Sequence, residues 1–137
     1  MTNASDPFSP RKTTLSPMLS VRQGSRAVDF YRYAFGAKEL FRLDGDDGSV
    51  VAQLSIGASD FWVADEAPEY MNFSPDSLEG STARMVLVTE DPDTVFQQAV
   101  SAGARVIFPV EDHPYGWRLG RLVDPFGHHW EIGKPLN

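Results

Sequence analysis

The chain has 137 residues, enough for one domain that buries its own core, and 42% apolar against 23% charged residues place it among globular sequences. It holds no cysteine, which excludes disulfides, thiolate metal sites and cysteine nucleophiles. A net charge of −7 argues against nucleic-acid backbones and anionic membrane surfaces as partners, and no run of 18 apolar residues is present to span a bilayer.

Residues 1–13 carry Ser, Pro, Thr and Asn without periodicity and read as a flexible arm. They include no apolar export segment, so a cytoplasmic location is expected. Thr14–Val21 reads as a first strand. Ser25 is placed to cap a helix in which Val28, Tyr31 and Phe35 recur at helical spacing until Gly36 ends it. Three short β-rich runs follow, Lys38–Leu43, Ser49–Ile56 and Asp60–Asp65, the first two joined by the turn Asp44–Gly48. Residues 67–81 are polar, with Tyr70, Met71 and Phe73 interspersed, and read as a linker long enough to fold over a ligand. Thr82–Val88 is a second opening strand. Asp91 caps the next helix, Pro92 takes its first position, and Val95, Ala99 and Ala102 form its buried stripe before Gly103. Arg105–Val110, Trp117–Val123 and His128–Ile132 are the closing strands, with Asp124–Gly127 as a turn.

A shift of 67 positions lays Met18–Val21 on Met85–Val88, Val28 on Val95, Gly36–Lys38 on Gly103–Arg105 and Phe41 on Phe108. The chain therefore reads as α+β, with two βαβββ modules at about 14–66 and 82–133 inside a single domain of residues 14–137. Neither module covers its own sheet, so the two pair about a pseudo-twofold and leave a cleft between curved sheets.

Ser25–Ala37, with Asp29-Phe30-Tyr31 and its terminating Gly36, and Val123–Ile132 near the end resemble the vicinal oxygen chelate superfamily of glyoxalases, bleomycin-resistance proteins and dioxygenases. The resemblance covers about residues 14–135, and Tyr115-Gly116-Trp117-Arg118 makes it most similar to the PhnB-like branch. It implies a homodimer with a small-molecule ligand. In metal-dependent members, four side chains hold the ion, one from the first and one from the last strand of each module. Carried onto this chain, those slots fall at Ser16, Ala83, near Val63 and at Glu131. Only Glu131 is a ligand type, and one carboxylate does not replace a cation's hydration shell. The expectation is no resident cofactor and no metal site of the usual kind, with a divalent metal left open.

Strand alternation puts His129 and Glu131 on one face, and the resemblance implies that this is the cleft face. Two readings of the pair stand: a general acid and base, or a lining histidine beside a carboxylate paired with Arg118 or Arg121. His128 is placed on the opposite face, holding the turn. His113, on a loop beside Glu111 and Asp112, is placed either at the cleft mouth or in solvent, and solvent is the expectation. Phe61, Tyr115, Trp117 and Arg121 are the candidate ligand-binding residues, giving flat apolar walls and a cation for a carboxylate or phosphonate. By alternation Phe61 shares the cleft face with Val63, while Trp62 and Trp130 turn toward the helices. The leading function is ligand sequestration without chemistry. The rival is a lyase or isomerase working through His129 and Glu131, and the third is an interaction module.

Overall fold

Alternating burial sorts the strands into two faces. In the computed structural model, which describes residues 10–137, Val50, Ala52 and Leu54 are buried while Val51 between them is exposed. Of the expected arm, residues 1–9 lie outside the described residues, and 10–13 are exposed without regular structure. The first module comprises β1 (Met18–Val21), α1 (Gly24–Phe35), β2 (Lys38–Asp44), β3 (Val50–Ile56) and β4 (Ser59–Asp65). A 3-10 turn at Pro68–Tyr70 and the short helix α2 (Pro75–Leu78) occupy the linker. The second module repeats the order as β5 (Arg84–Val88), α3 (Pro92–Ala102), β6 (Arg105–His113), β7 (Trp117–Val123) and β8 (His129–Pro135).

Each module forms a four-stranded sheet, β1-β4-β3-β2 and β5-β8-β7-β6, in which the first and last strands run parallel and the other pairs antiparallel. The fold is thus α+β with two repeated modules. Helix α1 lies on the first sheet and α3 on the second, and the two helices pack together, with Gln98 donating to the Tyr33 carbonyl at 2.6 Å. One shared core results: Leu19, Leu54 and Val63 of the first sheet join Leu122, Trp130 and Ile132 of the second. The opposite face of each sheet is open.

Several local expectations change. Strand β1 starts at Met18 rather than Thr14, because Pro17 has no N–H and offers only its carbonyl, which accepts from Trp62. Ser25 does not cap α1; the helix starts one residue earlier, and its Gly24 N–H donates to the Asp65 carboxylate at 3.2 Å. Asp65 also accepts from the Val50 N–H at 2.8 Å, and a Cβ on Gly24 would collide with that carboxylate, so glycine is required there. Asp91 does cap α3, but the buried stripe is Pro92, Phe96 and Ala99, with Ala102 exposed.

The 67-residue shift also fails at the opening strands. Buried Leu19 pairs with Val63, and its counterpart pairing with Trp130 is Met85, a step of 66 residues. Phe61 and Val63 consequently face α1, and Trp62 lies on the open face against Phe41 at 6.0 Å. A one-residue slip reverses every side chain of a strand.

Asp124 joins the modules. It is 3% exposed, and its carboxylate accepts from the Phe126 and His128 N–H groups, the Trp130 indole at 3.0 Å and the Tyr31 hydroxyl at 2.5 Å. Burial, and then the nearby Asp124 carboxylate, push the Tyr31 phenol well above its ordinary range, so it stays a donor. His128 adds a second tie, its Nε2–H donating to the Ser20 carbonyl at 2.9 Å. The linker is anchored as well, since Glu66 accepts from the Ser74 N–H and the Ser77 hydroxyl, each at 2.8 Å.

Replacing Asp124 by Ala leaves four buried donors unanswered and is expected to cost about 3–5 kcal/mol, whereas Tyr31→Phe removes one donor and costs about 1–2 kcal/mol. Urea midpoints of the two variants check this, and equal, small losses would contradict the role of Asp124.

Candidate functional site

The open face of the second sheet is a grid set by strand register. One row across it is Arg84, His129, Val123 and Arg105; the next is Val86, Glu131, Arg121 and Phe108; the third holds Val88, Gly133, Leu119 and, at the edge, Glu111; the fourth holds Pro135, Trp117 and His113. Charge gathers at one end and apolar surface at the other. A recess of about 240 Å³ opens on this face, walled by Val86, Tyr115, Trp117 and Leu119, with Glu131 at its charged end and Gly133 as floor.

Glu131 is paired with two cations through one oxygen. Its Oε2 accepts from Arg121 Nη2 at 3.0 Å and forms an ion pair with Arg84 Nε, and Arg121 in turn lies 5.7 Å above the Phe108 ring. Among the described residues, two buried side-chain polar atoms lack a partner, Arg121 Nε and His129 Nδ1. An unanswered buried donor costs about 1–3 kcal/mol, so such atoms gather where a ligand or a constraint demands them.

The sequence-derived candidates are distributed unevenly. Tyr115, Trp117 and Glu131 meet at the recess, and Arg121 adjoins it. Phe61 does not join them: it is 5% exposed in the core of the first module, its ring edge-on to Tyr31 at 5.5 Å. His129 shares the open face with Glu131, yet it lines a separate recess of about 230 Å³ with Arg105, Asp76 and Glu79, beneath the linker. Residues two apart on a strand are roughly 6.6 Å apart, so the two side chains start from separate points. The paired-carboxylate reading holds through Arg121; Arg118 instead faces α3 and bonds Asp93 and Asp112.

Sequence reasoning missed Arg84, Phe108 and the part played by His113. His113 is half-buried, not in solvent; its Nε2–H donates to the Leu119 carbonyl at 3.0 Å and its ring stacks on Tyr115. Arg84 carried a signal, since it alternates with exposed Val86 and Val88. Phe108 carried little, because β6 contains register shifts on both sides of it.

A metal does not fit these residues. Ala83 has the parity of helix-facing Met85, and the open-face partner of Glu131 on β5 is apolar Val86, while a cation, Arg84, reaches its carboxylate from the next row. On β4 the open face presents Trp62 and Ala64 rather than Val63. No group of three His, Cys, Asp or Glu side chains converges among the described residues.

Comparisons with known proteins agree on the fold. A family model described as "Glyoxalase/Bleomycin resistance protein/Dioxygenase superfamily" matches residues 14–132. An uncharacterized protein of Mycobacterium bovis is 40% identical over 126 residues, covering 89% of this chain and 83% of that protein. The X-ray structure of an Arabidopsis thaliana gene product is 31% identical with a TM-score of 0.73, covering 90% of this chain and 100% of that one. A bleomycin-binding protein complexed with bleomycin is 21% identical with a TM-score of 0.65, covering 90% and 98%; at that identity the likeness concerns fold alone.

The electrostatics of the face act on His129. Burial first, and then Arg121, lower its pKa from the ordinary 6.5, with Arg105 and Arg84 adding to this and Asp124 opposing it. A lowered folded-state pKa means that the unfolded chain binds the proton more readily. Stability from this residue is therefore complete above about pH 6.5 and declines as the pH falls through the folded value. The melting temperature of the wild type should fall more between pH 7 and pH 5 than that of His129→Gln, and an NMR titration should place the His129 midpoint below 6.5. A midpoint above 6.5 would contradict the assigned environment.

Proposed function

The chain belongs to the glyoxalase/bleomycin resistance protein/dioxygenase superfamily, and from that premise we propose that it binds a small organic molecule on the open face of its second sheet, without a metal and without transforming it. The observation that carries this reading is Glu131 held by Arg84 and Arg121 beside an aromatic recess. A carboxylate committed to two guanidinium groups is neither a free ligand for a cation nor a free base. The aromatic and apolar walls, Tyr115, Trp117, Leu119 and Val86, suit a flat ligand.

We place the chain in the PhnB-like branch on Tyr115-Gly116-Trp117-Arg118 and the closing Val123–Ile132 motif. Residues 14–137 act in this reading as one domain carrying a short arm, in the cytoplasm. The working form is a homodimer. In support, both sheets leave apolar side chains uncovered on their open faces, Met18, Phe41, Leu43 and Val51 on the first and Val86 and Val88 on the second. Among the described residues, no helix is long and apolar enough to cross a membrane. The alternative, a lyase or isomerase using His129 and Glu131, requires a substrate that spans the two recesses, so that each side chain meets its own reacting atom, and a Glu131 released from its arginines.

Protein prepared without affinity-column metal is expected to melt at the same temperature with and without Ni²⁺, Zn²⁺ or Mn²⁺. A saturable rise abolished by Glu131→Ala would replace this reading with a metal-dependent one. A neutral flat probe, naphthalene-2-carboxamide, should bind by calorimetry and lose about tenfold in affinity in Trp117→Ala, the scale expected for one buried aromatic anchor. Binding indifferent to that substitution would move the site elsewhere.

A further inference from the structure

The second-sheet face is unusual in a chain of net charge −7, because three arginines, Arg84, Arg105 and Arg121, share it with two carboxylates, Glu131 between them and Glu111 on the edge strand opposite Leu119. Arg84 and Arg121 both reach the same oxygen of that carboxylate. This leaves one positive charge of the pair uncompensated and several guanidinium N–H groups unused. Arg121 is 27% exposed and Glu131 17%, so the pair lies in partial burial where charge is weakly screened. Along the same face, two rows away, charge gives way to Leu119 and Gly133 and then to Trp117, with Tyr115 and His113 stacked at the rim. The linker acids Asp76 and Glu79 face Arg105 and His129 in the neighbouring recess and do not bond Arg84 or Arg121 among the described contacts.

We infer that the ligand is a monocarboxylate on a flat apolar body, its carboxylate taken by Arg84 and Arg121 and its body laid along Leu119, Trp117 and Tyr115, with Glu131 as the resident counter-ion that it must share or displace. This rests on the binding reading above and names the ligand class for that site. A planar guanidinium matches a planar carboxylate, and two of them already hold one carboxylate here. The inference reverses the usual consequence of removing a site acid. Neutralising Glu131 frees both arginines, so anion binding strengthens, whereas loss of a base, a metal ligand or a polar contact would weaken it.

The test compares two probes of the same shape, naphthalene-2-carboxylate and naphthalene-2-carboxamide, by calorimetry with the full chain at low and high salt. The wild type is expected to bind the carboxylate at least tenfold more tightly than the amide, with the preference shrinking in salt. Glu131→Gln should raise carboxylate affinity several-fold and widen the preference over the amide. Arg121→Gln and Arg84→Gln should erase the preference while amide binding and its dependence on Trp117 persist. Equal affinities for the two probes, or weaker carboxylate binding in Glu131→Gln, would overturn the monocarboxylate assignment and leave the binding reading intact. Failure of both probes to bind, or binding indifferent to Trp117→Ala, would remove the site and the inference together. Circular dichroism of each variant separates a lost fold from lost recognition, and Arg121→Lys, which keeps the charge but not the fork, should retain only part of the preference.

Discussion

Asp124 is 3% exposed and carries its charge into the core with four donors around it, two from its own turn, one from the Trp130 indole and one from the Tyr31 hydroxyl. A carboxylate buried at that depth is tolerable only when its lone pairs are answered, so the turn, strand β8 and helix α1 hold one another in place. Strand geometry carries the constraint outward. With the Trp130 indole drawn to Asp124 on the helix side, alternation leaves His129 and Glu131 no choice but the open face. The candidate face is thus positioned from beneath, by a carboxylate that also accepts from Tyr31 of the first module.

On the proposed metal-free reading, that face also has a physical substitute for a bound cation. A divalent cation in such a site would supply positive charge beside Glu131; here a guanidinium from the adjoining strand supplies it, reinforced by Arg121. The charge is covalently attached and cannot be exchanged. A site built in this way recognises oxyanions by shape and hydrogen bonding rather than by coordination, and it lacks the open coordination position on which metal chemistry depends.

Much of the architecture was legible because the determinants are local and repeated. Gly36 and Gly103, the Asp91 cap and the alternation in β7 each act within a few residues, and the repeat aligned Phe41 with Phe108, although it did not tell which face either takes. What escaped was non-local or depended on parity. The cap of α1 comes from Asp65, 41 residues away, where no local pattern announces it. The faces of β4 hinged on one inserted residue, and Phe61 changed places with Trp62 for that reason alone. Of the site, alternation grouped Trp117 with Arg121 and His129 with Glu131 but did not decide which face of β7 turns to the cleft, while Arg84 needed the parallel register of β5 with β8.

The tie through Asp124 is one-sided. The corresponding hairpin of the first module, between β3 and β4, is the tight Gly57-Ala58 connection and contains no acid, and the position 67 residues beyond Tyr31 is Gln98, which bonds a helix carbonyl instead. The two halves of the repeat have therefore ceased to be interchangeable parts. A protein assembled from two copies of either half would lack the Tyr31 donor or the Asp124 acceptor at the centre, so each half is completed only by its unlike partner.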